Sequence, residues 1–309
     1  MLEDATAGDP LTGLKWTHKT IRALTRQLRR RGFRVGRETV RRLLHTRHYT
    51  LRLNRKRLSR KRDPDRDRQM GYLGRKRRAF RKAKRPAISV DTKKKELVGN
   101  FKNPGRTWRQ RPLDVLATDF ASDAVGKAIP YGIYDLQHNS GFVVVGRSHE
   151  TAQFAGAAIR TWWKVLGLRQ YPEADHLFIE ADGGGANGHR SWLWKAQLQQ
   201  LADEFQLTIT VSHLPPSASK WNLADHRLFC HLSQNWAGQP LVDYETILKF
   251  IRTTKTETGL RCRARLDQRD YPIGLKVSAE DKARINLARH RVLPKWNYTI
   301  KPLGPCRAK

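Results

Sequence analysis

His176-Leu177-Phe178-Ile179-Glu180-Ala181-Asp182-Gly183-Gly184-Gly185 is the stretch on which the fold turns. Six residues of mainly apolar character stop at an aspartate followed by three glycines, the pattern of a buried strand that ends in an open loop. The glycines lack the GxxxxGK[ST] spacing of a phosphate-cradling loop. Without Cβ atoms they let another group come close to the sheet edge. Working outward, a short β-rich run at 87–90 ends at Asp91, and the runs 131–135 and 141–146 flank His138-Asn139-Ser140 as a hairpin. Helical apolar spacing covers 150–166 and about 188–205, a third strand covers 207–211, and a helix at about 219–236 follows Pro215-Pro216. The order β-β-β-α-β-α-β-α predicts an α/β fold, a mixed sheet flanked by helices.

Asp91 and Asp182 fall at the ends of apolar strands, the edge at which open α/β sheets bind ligands. Asp225 is the only acidic residue between Gln206 and Val242, so a third carboxylate from the following helix has no other source. Taken singly, a strand-end aspartate is equally a turn former or a helix cap. Taken together, crowded carboxylates raise one another's pKa and are tolerable mainly when divalent cations neutralise them. Oxygen ligands suit Mg²⁺ or Mn²⁺. Two such ions activate an attacking oxygen and stabilise a leaving one in phosphodiester chemistry.

Charge names the partner class. The chain of 309 residues carries 61 Lys+Arg against 28 Asp+Glu, a net +33. This excludes a neutral globule and favours polyanions, nucleic acid before anionic membrane. Residues 52–86 hold 17 basic and 3 acidic side chains and read as a polyanion-binding linker, with a solvated helix or a disordered arm as the bland alternative. Ahead of it, Ile21, Leu24 and Leu28 recur at helical spacing, Gly32 interrupts, and Val40, Leu43 and Leu44 resume. Two short helices about a tight turn are expected over 1–51. Arg37, Arg41, Arg42 and His45 fall off the second apolar stripe, as a recognition helix of a helix-turn-helix requires. An ordinary basic hairpin is the alternative, and Gly36 is a weak cap.

No apolar run approaches the roughly 20 residues of a membrane span, and Met1-Leu2-Glu3-Asp4 is acidic where a signal peptide is basic. A cytoplasmic protein is expected. Cys230, Cys262 and Cys306 form no CxxC pair, so reduced thiols are expected. His213, His226, Cys230 and His231 match no usual zinc spacing. Trp162, Trp163, Trp192 and Trp194 read as core rather than as base-stacking platforms.

The residues 89–103 around Asp91, 182–188, Ser219-Lys220-Trp221-Asn222, His226-Arg227-Leu228-Phe229, 271–278 and Trp296-Asn297-Tyr298-Thr299-Ile300 resemble DDE-type insertion-sequence transposases, most closely the Rhodopirellula-type DDE transposases. The resemblance covers nearly the whole chain. It implies an RNase H-like catalytic core over 87–240, extended by 241–309, with Asp91 and Asp182 as the first two acids of a metal-binding triad. The third place, Glu in the family pattern, is Asp225 here. One methylene shorter, its oxygens withdraw by roughly 1.5 Å, which matters to a 2.1 Å Mg²⁺ contact. Among the basic residues near these acids, Arg227 is implied as a phosphate contact, and Lys93, Lys94 and Lys220 are candidates for DNA binding. The function implied is strand cleavage and strand transfer at terminal inverted repeats, by a homo-oligomer on DNA. Similar proteins carry more chain ahead of the region that matches Asp9-Pro10, so the resemblance also implies loss of an N-terminal segment from this copy. The competing readings are a catalytically impaired DNA-binding remnant and an RNase H-like nuclease.

Overall fold

The computed structural model describes residues 6–8, 15–17, 19–52 and 63–304. The chain divides into two compact units, Met1–Leu58 and Ser59–Lys309.

In the first unit, β1 (Thr6–Gly8) pairs antiparallel with β2 (Lys15–Thr17). Two helices follow, α1 (Ile21–Arg30) and α2 (Arg37–Thr46). Thr20 caps α1 by accepting a hydrogen bond from the Ala23 N–H (3.1 Å), which satisfies one of the open donors of a helix start. Gly32, at φ +87°, turns the chain where a Cβ would strain it. Leu24 and Val40 are buried, as the apolar spacing requires, but Leu43 is half exposed. Gly36 caps α2 without a side-chain hydrogen bond.

The second unit opens with α3 (Arg66–Lys82). This corrects the linker expected over 52–86: most of its described part is a 17-residue helix of the larger unit. Leu73 and Phe80 pack with Ala87, Phe178 and Leu214, and this apolar contact is what holds a basic segment in place. Positions 53–62 lie outside the described residues.

The strands that follow are β3 (Ala87–Thr92), β4 (Glu96–Val98), β5 (Gly126–Asp135) and β6 (Ser140–Gly146). Next come α4 (Ala152–Trp162), a π-helical turn (Trp163–Gly167) and α5 (Leu168–Gln170). Then come β7 (His176–Ala181), α6 (Trp192–Phe205) and β8 (Thr208–His213). The remainder is α7 (Cys230–Asn235), α8 (Tyr244–Thr253), β9 (Arg261–Asp267), α9 (Ala279–Ala283), β10 (Leu287–Arg289) and β11 (Asn297–Ile300).

The strand order is β10-β11-β8-β7-β3-β5-β6-β9, with β4 paired to β5. β3, β7 and β8 run parallel, and β5 lies antiparallel to both β3 and β6. A hairpin-linked antiparallel ribbon leading into parallel strands is the RNase H-like arrangement, and the expected mixed sheet is present. One face packs Ile88, Val90, Tyr131 and Ile179 under α4 and α6, which bring Phe154, Trp162 and Trp194. The other face packs Val143, Val145 and Tyr134 under Leu228, Phe229 and α8. Trp162, Trp163 and Trp194 are core residues, as expected. The C-terminal strands extend the sheet at both edges.

Candidate active site

Strand register sets the site. Val90 on β3 pairs with Ala181 on the parallel neighbour β7, so the next residue on each strand is an acid, Asp91 and Asp182. Both line one cleft of about 390 Å³, with Gly183, Gly184, His189 and Asn222. Burial raises the Asp91 carboxyl to about 7, helped by the charge of Asp182 and opposed by the Thr92 N–H; Asp225 and Glu150 raise it further. Burial raises Asp182 to about 6, against hydrogen bonds from Asn187 and the Gly184 backbone, and Glu150 adds to the rise. Two desolvated carboxylates that repel each other are the environment that a divalent cation would relieve.

Each acid has a built surround. The Asp91 Oδ1 accepts from the Thr92 N–H (2.8 Å), and its Oδ2 accepts from the Asn222 Nδ2 (2.6 Å). Behind Asp182, the Trp194 indole N–H donates to the Tyr298 hydroxyl (3.0 Å), which meets His213 Nε2 (3.0 Å). His213 Nδ1 in turn meets the Asp182 carbonyl (2.7 Å). Only one tautomer serves this chain: Nδ1–H donates to the carbonyl, and Nε2 accepts from the tyrosine. Burial pushes the His213 pKa down to about 3, so the ring is neutral. His213 is a strut of the Asp182 loop, in keeping with the poor zinc spacing seen in sequence. His189 Nδ1 lies 2.9 Å from the Gly183 carbonyl, and Lys195 Nζ donates to the His189 carbonyl (2.6 Å).

Asp225 stands differently. The single helix expected over 219–236 is broken into a 3₁₀ turn at Ser219–Trp221, a π-helical turn at Asp225–Phe229 and then α7. The break has a local cause: the Asn222 Oδ1 takes the Ala224 N–H (3.0 Å), a side-chain bond that competes with helix continuation. Leu228 and Phe229 press the π turn onto the sheet over Gly132, where an added Cβ would lie 2.3 Å from the Phe229 ring. The Asp225 side chain itself is exposed and does not line the cleft, although Asp91 feels its charge. Among the described residues, no three His, Cys, Asp or Glu side chains stand close enough together to hold an ion. Asp91 and Asp182 are the carboxylates that line the cleft together, and Asp225 is exposed on its turn with its charge reaching Asp91.

Glu150 is a carboxylate that sequence reasoning missed. Its Oε1 lies 3.0 Å from where a Cβ on Gly185 would be, and its Oε2 is 3.5 Å from Lys95 Nζ. It thus sits between the loops that follow Asp182 and Asp91. The usable signal was its place in the short loop between β6 and α4, four residues past the end of a strand of the same sheet.

Of the basic candidates, Lys93 is taken up internally, by Glu96 (2.5 Å) and over the Trp236 ring (4.7 Å). Lys94, Lys220 and Arg227 are exposed, and Lys220 lies 4.2 Å over the Trp221 ring. In the first unit Arg37, Arg41, Arg42 and His45 are exposed on α2, with Arg41 3.6 Å from Glu38. On α3, Arg77 turns inward and grips the buried Glu180 with two hydrogen bonds (2.6 and 2.5 Å). Arg68, Arg75, Arg78 and Lys82 face outward, and none has an ion pair among the described residues.

Sheet order and paired strand-end acids define an RNase H-like domain with an acidic cleft at its edge. The sequence matches the family model described as Rhodopirellula transposase DDE domain over residues 1–302, and the chain belongs to that family. Among solved structures, a mariner Mos1 paired-end complex with Mg is similar at TM-score 0.47 and 16% identity, over 75% of this chain and 65% of that one. A Mos1 paired-end complex with the left transposon end is similar at TM-score 0.45 and 15% identity, with the same coverage. A pre-cleavage Mos1 transpososome is similar at TM-score 0.45 and 14% identity, covering 79% of this chain and 72% of that one. The chain spans about 65% of the length of the first of these relatives. No curated protein sequence matches it. No helix of the described residues is long and apolar enough to cross a membrane.

Proposed function

We propose that the protein is a DNA transposase that cleaves and joins strands at the terminal inverted repeats of an insertion sequence. The observation that carries this reading is the pair Asp91 and Asp182, set side by side by the β3/β7 register in a cleft of a transposase-family chain. Asp91 and Asp182 would hold Mg²⁺ or Mn²⁺, two ions in the full assembly, with Asp225 approaching when DNA is bound. Bound cations would supply charge neutralisation and Lewis acidity for phosphodiester chemistry. The chain's own part is to hold the two carboxylates apart from bulk water and to seat the DNA. Water is the first nucleophile and the freed 3′-hydroxyl the second, so no Ser or Tyr nucleophile is needed.

DNA is held in two places. Arg37, Arg41 and Arg42 on α2 read the repeat, in the manner of a recognition helix. The outward stripe Arg68, Arg75, Arg78 and Lys82 on α3 spans about 21 Å of helix and tracks duplex phosphates without reading sequence. Lys94, Lys220 and Arg227 extend the basic surface around the acids. Synapsis of two ends calls for a homo-oligomer on DNA.

The exposed position of Asp225 favours a second reading, a catalytically impaired DNA-binding remnant. A strand-transfer assay on terminal-repeat DNA in Mg²⁺ or Mn²⁺ separates the two. Activity in the wild type supports the transposase, and activity only in Asp225→Glu supports the remnant. Equal cutting of unrelated DNA or RNA would instead identify a nuclease.

A further inference from the structure

Each cleft acid has a buried asparagine near it, and the orientation of the one at Asp91 is locked. Asn222, 3% exposed, accepts the Ala224 N–H at Oδ1 (3.0 Å), and the Ser89 hydroxyl lies 3.4 Å from the same oxygen. Flipping its amide would set an NH₂ against the Ala224 N–H and an oxygen against the Asp91 carboxylate, two repulsive contacts. Its Nδ2 therefore points at Asp91 Oδ2, 2.6 Å away. The Thr92 N–H holds the other oxygen, Oδ1, at 2.8 Å. Asn187, 2% exposed, repeats the arrangement on the neighbouring strand end. Its Oδ1 takes the Tyr131 hydroxyl (2.7 Å), and its side chain opposes the burial-driven rise of the Asp182 carboxyl.

An ionised carboxylate has about four acceptor positions. One amide donor and one backbone donor fix a rotamer and leave capacity on both oxygens. Asparagine suits this task because its two ends differ: the oxygen is spent on the fold and the nitrogen on the acid.

We propose that Asn222 and Asn187 are positioning residues, paired amide clamps that hold the Asp91 and Asp182 carboxylates in the orientation that receives a divalent cation. The proposal rests on the transposase reading for the identity of that cation. The alternative is that each asparagine only ties down its own turn through Oδ1, in which case the Nδ2 contact is incidental.

Asn222→Ala and Asn187→Ala, in the full chain, separate these. Mn²⁺ binding followed by electron paramagnetic resonance is expected to weaken about 10- to 100-fold in each, as for partners that orient metal ligands. Duplex DNA affinity is expected to stay unchanged. Wild-type Mn²⁺ affinity in both folded variants overturns the proposal. If an alanine variant fails to fold, the side-chain amide spectrum of wild-type protein labelled with ¹⁵N-asparagine decides. The Asn222 pair, assigned by its loss in Asn222→Asp, is expected to shift on titration with Mg²⁺ and again in Asp91→Asn. The Asn187 pair is expected to respond in the same way to Asp182→Asn. Pairs that move with neither overturn the proposal. Strand cleavage surviving in Asp91→Asn would remove the transposase reading, whereas an unmoved Asn222 pair removes this proposal alone.

Discussion

The two strand-borne aspartates and the aspartate of the π turn share a charge and little else. Asp91 and Asp182 end adjacent parallel strands, so the hydrogen-bond ladder of the sheet sets their separation. Burial lifts both well above the ordinary carboxylate range, with the charge of Asp182 adding to the rise at Asp91 and that of Glu150 adding at each. Asp225 rides on an exposed turn held down by Leu228 and Phe229, and no ladder bond fixes it relative to the cleft. The lesson is that the sheet edge sets two of these acids side by side, whereas the third is placed by the packing of Leu228 and Phe229 on the sheet.

The contrast breaks first in catalysis. Asp91→Asn or Asp182→Asn is expected to lower strand nicking and joining by at least about a thousandfold, about 4 kcal/mol of transition-state stabilisation, with terminal-repeat binding in a gel-shift assay unchanged. Wild-type rates in either variant would end the catalytic assignment. Asp225→Asn is expected to lose less, about 10- to 100-fold, as a group acting from outside the cleft does. A loss as deep as that of the strand acids would mean that DNA binding delivers Asp225 fully.

Stability in metal-free buffer sharpens the same comparison. The folded protein keeps the Asp91 proton up to about pH 7, whereas an unfolded aspartate releases it near pH 4. The protonated form therefore favours folding fully below pH 4, and that advantage is gone above pH 7. Asp91→Asn is expected to stabilise the protein by on the order of 2–4 kcal/mol at pH 8 and by nothing near pH 4, in urea titrations with a chelator. Asp225→Asn is expected to stabilise the protein far less at pH 8, by removing one of the charges that raise Asp91. Mg²⁺ added to the wild type at pH 8 is expected to raise its Tm, and to raise that of Asp91→Asn less.

The smallest effect concerns the basic surface. Arg75→Gln with Arg78→Gln is expected to reduce the slope of log affinity against log salt by about 1.8, equally on repeat and unrelated duplex. Arg37→Gln is expected to weaken repeat binding selectively. Fluorescence anisotropy across a salt series measures both, and an unchanged slope for the α3 pair would leave that helix a solvated face.

The places of the strand-end acids were legible in the sequence because apolar runs stop at Asp91 and at Asp182, although each alone reads equally as a turn former or a helix cap. The mixed sheet flanked by helices followed from alternating strand and helix periods. Two features were not legible. Charge density alone cannot distinguish a linker from a helix, and α3 is held by Leu73, Phe80 and Arg77, three inward positions lost among many outward arginines. The broken helix before α7 was hidden because apolar spacing continues through Leu223, Leu228 and Leu232, while the interruption comes from one side-chain oxygen of Asn222. The asparagines themselves carry no periodic signal; only the fold shows what their two ends touch.

Glu180 lies at the middle of the sheet with no exposure, and its counter-charge comes from Arg77, about a hundred residues earlier. Removing one member of such a pair costs about 3–5 kcal/mol, a large share of a domain's stability. An expression fragment cut to start at the first sheet strand would leave that carboxylate alone in an apolar interior and would not be expected to yield soluble protein. The larger unit is therefore inseparable from a helix that composition alone assigns to the tether, and any dissection of the two units has to cut ahead of Asp63.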